Sequence, residues 1–237
     1  MTFSIVARCE RTGRIGIAVA TRAFAVGARV PHIRTGAGAV ATQATTNQLL
    51  GPRGLDLLAS GVPAEACLAA LLATDPGRDH RQVHVMDRHG RSAAHTGLAC
   101  VPWCGHVTGR GFSVAGNMLA GEAVVRETAR AFADATDIPF ARRLIAALKA
   151  GEAAGGDKRG RQSAALLIHD DEPHAALDLR VDDHADPLAE LSRLEAVARD
   201  LFVHTRRIGA RRDDPAGLLD EAERQAAIAR SRAEGYE

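Results

Sequence analysis

His95, Cys100, Cys104 and His106 place four side chains of zinc-ligand type within twelve consecutive positions. Their spacing matches no closed zinc pattern, and Pro102 and Trp103 between the cysteines point to packing instead. The four cysteines, Cys9, Cys67, Cys100 and Cys104, form no disulfide framework in a chain this long and read as reduced, buried thiols. No metal is expected, and a zinc hydrolase built on residues 95–106 is the third-ranked reading. His95 remains a candidate acid or base because imidazole titrates near neutrality. Its place before Thr96-Gly97 also fits a structural turn residue.

Three further groups have usable chemistry. Gly155 to Ser163 is a polar, Gly-rich stretch whose backbone amides, with Arg159, suit a carboxylate or phosphate. Asp157 and Gln162 are its candidate site members, and the alternative is a plain entry to the next strand. Asp178, Arg180 and Asp182 alternate, so they project from one strand face. They form either an ion-pair ladder or a seat for an acidic substrate held by Arg180. Asp183 and His184 face apart and make no dyad. Thr42, Gln43 and Asn47 interrupt a strand of small apolar residues just before a helix start, where polar groups line pockets or cap the loop. Lys149 and Lys158 are the only lysines, so a lysine base or Schiff base has two candidates.

These groups need a scaffold, and the hydrophobic pattern outlines it. Phe3–Arg8 and Arg14–Thr21 flank the turn at Thr12-Gly13 and read as a hairpin. With 38–44 they are almost wholly apolar, as strands covered on both faces are. Helices follow from Gly51-Pro52 to about Ser60 and from Pro63 through Leu72, stopped by Asp75-Pro76-Gly77. Strands recur at 82–86, 92–95, 105–108 and 111–115, helices at about 121–134 and 139–150, and strands at 163–169 and 176–182. From Pro187 the tail reads as helical, with Leu188, Leu191, Leu194, Ala198, Leu201 and Phe202 on one stripe. Strand blocks alternating with helix pairs fit an α+β chain of two packed sheets with helices outside. A doubly wound parallel sheet would alternate single strands and helices and open on a Gly-rich phosphate loop, which is missing. The expected units are 1–185 for the sandwich and 186–237 for helices packed on it or on a partner subunit.

Composition narrows function. Thirty basic residues nearly cancel twenty-nine acidic ones and aromatics are 3%, so nucleic-acid binding is not expected. No apolar run reaches the roughly 18 residues of a membrane span, and the first residues carry no signal-peptide pattern. A cytoplasmic protein without a cofactor is expected. The Ala-rich helices and amphipathic tail favour a homodimer.

Several stretches resemble an uncharacterised family of N-terminal-nucleophile (Ntn) hydrolase-like proteins. They are Met1 to Arg8, Phe24-Ala25-Val26-Gly27, Ala41-Thr42-Gln43-Ala44 and Asn47, followed by Gly51 to Leu55, His95-Thr96-Gly97 and Gly116 to Leu119. Gly155 to Ala164 and Asp178 to His184 complete the series, in order over about 1–205. The resemblance implies a four-layer αββα sandwich with a C-terminal helical tail. A more distant likeness to threonine peptidases of the proteasome type implies that Thr2 is the nucleophile once Met1 is removed. Its own α-amine, with a pKa of about 7.7–8.0, would be the base. The resemblance also implies that Thr42 to Asn47 frame the oxyanion. The peptidase pattern is incomplete here, since no lysine precedes Lys149 and Ala20-Thr21-Arg22 lacks the carboxylate. Arg22 can supply positive charge but not a base. The leading expectation is an amidohydrolase acting on a small amide. The alternative is a non-catalytic protein of the same fold that binds an anionic metabolite or partner in its cleft.

Overall fold

The structure, a computed structural model, describes residues 2–235. Met1, on whose removal the Thr2 chemistry depends, lies outside them.

The opening hairpin forms as its sequence predicts: β1 (Thr2–Arg8) pairs antiparallel with β2 (Ile15–Thr21), Phe3 opposite Ala20. Four strands share a smaller sheet, β3 (Pro31–Arg34), β4 (Gly38–Ala44), β5 (Arg81–Asp87) and β6 (Ser92–Thr96), in that order. The larger sheet adds β7 (Gly105–Gly109), β8 (Phe112–Asn117), β9 (Ser163–His169) and β10 (Leu177–Val181), in the order β10-β9-β2-β1-β8-β7. Every pairing between these strands is antiparallel, which excludes the doubly wound parallel sheet. The chain is α+β with two antiparallel sheets. Strand β3 had no counterpart in the sequence pattern. It is a four-residue edge strand opened by Pro31, and an edge position tolerates a missing N–H donor.

The alternation of β1 decides what each face meets. Phe3, Ile5 and Ala7 pack with Val124 of α3 (Ala123–Asp134) and with Leu144 and Leu148 of α4 (Phe140–Ala153). Val6, facing the other way, packs with Ile17 and Val19 against Ala39, Ala41 and Met86 of the smaller sheet. That sheet's opposite face sets Val40, Val83 and Val85 against α1 (Leu50–Ala59) and α2 (Ala64–Ala73), including Leu55, Cys67 and Leu71. Ala39 and Ala41, which β4 turns toward the larger sheet, are short. Each large side chain buried in these layers contributes on the order of 1.5–3 kcal/mol.

The tail is less regular than its stripe predicts. Helix α5 (Pro187–Val197) is capped by the Asp186 carboxylate and buries Leu188 and Leu191. A π-helical turn, Ala198–Phe202, then shifts the helical phase before α6 (Val203–Ile208). The shift leaves Leu201 and Phe202 about half exposed, so the stripe does not continue into the core. An irregular stretch separates α6 from α7 (Glu221–Glu234). Among the described residues no helix is long and apolar enough to cross a membrane.

Candidate functional site

Thr2 starts the inner strand β1 with its side chain turned toward the smaller sheet, on the same face as Ser4 and Val6. It is 7% exposed, and its Oγ1 lies 3.3 Å from Thr21 Oγ1 at the end of β2. Two amides approach its carbonyl oxygen: Gln43 Nε2 from β4 and Asn117 Nδ2 from β8, both at 3.5 Å. Both are oriented by Gln82 of β5, whose Oε1 accepts from Gln43 at 2.8 Å and from Asn117 at 3.0 Å. Gln82 Nε2, with two hydrogens to give, lies 2.8 Å from Gly116 O, 2.9 Å from Thr96 Oγ1 and 3.1 Å from Gly105 O.

The other end of the Gln43 amide is fixed as well. Ser4 Oγ donates to Gln43 Oε1 at 2.7 Å and lies 2.9 Å from His84 Nε2. A hydroxyl has one proton to give. With it committed to Gln43, His84 Nε2 must carry hydrogen and donate to Ser4. His84 Nδ1 then accepts from Ser113 Oγ at 3.1 Å. Burial, helped by the charge of His106 and opposed by Ser113, lowers the His84 pKa to about 3, so the ring is neutral. Ser4, Gln43, Gln82, His84 and Ser113 are all completely buried. A network this dry is stable only because each member finds a partner.

The backbone is strained beside both amides. Ala44, directly after Gln43, has φ 71°, and Met118, directly after Asn117, has φ 54°. Non-glycine residues hold left-handed conformations at a cost on the order of 1–3 kcal/mol, and such outliers cluster at functional sites.

A second cluster rims the same end of the large sheet. Asp157 Oδ2 accepts from the Arg22 backbone N–H at 2.8 Å, and Arg22 Nη1 donates to Gln162 Oε1 at 2.6 Å. Gln162 Nε2 donates to Asp183, while its backbone N–H donates to Thr21 O at 3.0 Å. The Gly-rich loop is thereby laid against the strand end that contacts Thr2. The structure thus links Thr2, Gln43, Arg22, Asp157 and Gln162 into one region.

A family model described as a family of unknown function (DUF1028) matches residues 2–191. The chain belongs to this family. Protein SPO2555 from Silicibacter pomeroyi, a DUF1028 crystal structure, is 34% identical with a TM-score of 0.85. The match covers 92% of this chain and 99% of that one. Two Anbu structures are more distant. Anbu (ancestral beta-subunit) from Yersinia bercovieri is 10% identical with a TM-score of 0.41, over 83% of this chain and 94% of that one. An Anbu mutant from Hyphomicrobium sp. strain MC1 is 13% identical with a TM-score of 0.41, over 85% and 96%. No curated protein matches the chain.

Within this DUF1028 fold Arg159 joins the Asp157 cluster, and the other candidates lie apart from Thr2. Thr42 sits on the opposite face of β4 from Gln43, and its hydroxyl donates to Asn47 O at 3.3 Å. Asn47 Oδ1 accepts from Leu49 N–H at the entry to α1. His95 points to the helix side of β6, its Nε2 3.0 Å from Arg78 O. Arg180 lies on the edge strand β10 and pairs with Asp182 at 3.1 Å. Burial raises the pKa of Asp178, against the opposing pull of Arg180. Arg159 pairs with Asp157 at 3.1 Å. Each zinc-type side chain has a separate partner: Cys100 Sγ reaches Arg81 O, Cys104 Sγ reaches Cys100 O, and His106 Nδ1 meets Thr96 Oγ1.

The sequence reading missed Thr21, Gln82, His84, Ser113 and Asn117. Its one available signal was Gln82-Val83-His84, two polar residues at period two inside an apolar strand.

Proposed function

We propose that this chain is an Ntn-type amidohydrolase on a four-layer αββα sandwich, cleaving a small amide with Thr2 as nucleophile once Met1 is removed. The observation that carries the reading is the seating of Thr2. It begins the inner strand, its hydroxyl meets Thr21, and the Gln43 and Asn117 amides converge on its carbonyl oxygen. Gln82 aligns both amides beside the strand that carries the nucleophile, as a preorganised site requires. A free α-amine on the same residue takes the hydroxyl proton during attack and returns it to the leaving amine, so the chemistry needs no cofactor. Arg22, tied to Gln162, contributes positive charge at the rim. In this reading residues 1–185 form the catalytic unit of a cytoplasmic protein. Residues 186–237 pack on it or on the second subunit of a homodimer.

Intact mass of the untagged native protein, paired with hydrolysis of a panel of small amides by wild type and Thr2→Ala, tests the proposal. Loss of Met1 together with activity abolished in Thr2→Ala is expected. Retained Met1, or hydrolysis that survives Thr2→Ala, overturns it.

A further inference from the structure

At the other end of β1 from Thr2, about 20 Å along the strand at 3.3 Å per residue, two adjoining recesses open around Arg8. Their volumes are about 800 and 570 Å³, and they share Arg8, Glu10 and Arg110. The first adds Arg91 and His89, and the second adds Arg11, Arg143 and Asp137. Cations outnumber carboxylates across the pair. Glu10 is already held by Arg110 at 3.1 Å, and Arg91 is held from below by Asp87 at 2.7 Å.

Arg8 differs from these. It is half-buried, and its Nε is buried with no hydrogen-bond partner among the described residues. Unsatisfied buried donors on charged groups are costly, and each asks for a reason. Arg143 is also prepared for a partner. Its Nε donates to Phe132 O at 2.6 Å, and its guanidinium carbon lies 3.9 Å from the Phe132 ring centroid, which fixes the plane of the fork. Burial lowers its pKa, a sign that it is poorly hydrated and would gain from an anion. Phe112 and Ile138 form the accessible wall of this recess, with Phe132 and Phe140 buried behind them. In a chain so poor in aromatics, that wall gives the second recess an apolar side facing a cationic one.

We propose that these recesses bind a small anion, a carboxylate or phosphate, carried on an apolar or aromatic body. The charged head engages Arg8, Arg110 and Arg143, and the body lies along Phe112 and Ile138. Cys9 lines the same recess, beside Arg11. Burial raises its pKa, but hydrogen bonds from Thr12 and the amides of Thr12 and Arg11, with the charge of Arg11, bring it below the usual thiol value. The site is separate from Thr2 and from Arg159 and Arg180, and it does not depend on the hydrolase reading.

Isothermal titration of the full chain with phenyl phosphate, phenol and inorganic phosphate tests it. Phenyl phosphate should bind at least about tenfold more tightly than phenol, which lacks the charge, and than inorganic phosphate, which lacks the body. Arg8→Gln should weaken phenyl phosphate by about tenfold or more. If Arg8→Gln fails to fold, Arg110→Gln decides, because Arg110 is almost fully exposed and its loss leaves the core intact. Equal affinity for phenyl phosphate and phenol overturns the proposal. So does the absence of binding at millimolar phenyl phosphate, or an unchanged affinity in the deciding variant.

Discussion

Ser4 Oγ lies 2.9 Å from His84 Nε2, joining the inner strand β1 of the large sheet to β5 of the small one through two completely buried side chains. The contact fixes the tautomer of the histidine and, through Gln43, the amide that approaches Thr2. Removing the Ser4 hydroxyl strands His84 Nε2 and Gln43 Oε1 together. Ser4→Ala should therefore lower stability by about 1–3 kcal/mol in urea unfolding. A change below about 0.5 kcal/mol, the usual range for surface substitutions, would show that the network is not a structural tie.

The same histidine gives stability a pH dependence of known sign. Its folded pKa, about 3, lies below the unfolded value of 6.5, so the folded ring stays neutral where the unfolded ring protonates. Above 6.5 both forms are neutral and stability is complete. As pH falls from about 6.5 toward 3 the unfolded state binds the extra proton, and stability drops by up to about 1.4 kcal/mol per pH unit. His32, His106 and His169 are also lowered by burial and act in the same direction. Urea midpoints followed through that interval should fall less steeply in His84→Gln than in wild type. Parallel curves would remove His84 as the cause.

If the Thr2 amine is the base, it must be uncharged to accept the hydroxyl proton. In Met1-free enzyme, kcat/KM should then rise with pH along a single limb with a midpoint near about 7.7–8.0. A rate flat across that interval would assign the proton transfer to another group.

Gly38 opens β4 with φ 149°, and a Cβ there would sit 2.2 Å from Met86 O of the paired strand. Backbone cannot yield as a side chain does. Gly38→Ala should cost about 1–3 kcal/mol, since overpacking and a disfavoured φ act together. Thermal unfolding measures it, and a melting temperature equal to wild type would contradict the close approach.

Arg206 of α6 donates to both oxygens of Asp170 at 2.8 Å each, in a pair that is largely buried. This bidentate contact clips the tail to the end of β9. Asp170→Asn should destabilise docking by about 1.5–3 kcal/mol and speed proteolytic cleavage in the segment between α6 and α7. Unaltered cleavage would mean that other contacts hold the tail.

Among the described residues, local pattern is enough to mark nine of the ten strands and the face each residue takes. Phe3, Ile5 and Ala7 alternate with Thr2, Ser4 and Val6, and a period of two admits no other division of β1. Thr12-Gly13 specifies the hairpin, and Asp75-Pro76-Gly77 ends α2, because these signals act over a few residues. Edge strand β3 and the π-helical turn in the tail escaped, since neither follows a local period. Only the packing of the two sheets brings Ser4, Gln43, Gln82, His84, Ser113 and Asn117 together. They come from four strands of two sheets, and periodicity says only that each faces one side of its own strand. Which strands become neighbours, and how one sheet slides over the other, depends on the fit of side chains far apart in sequence. Thr42 and Gln43 show the limit: adjacent in the chain and alike in polarity, they are sent by the pleat to opposite sides of the sheet.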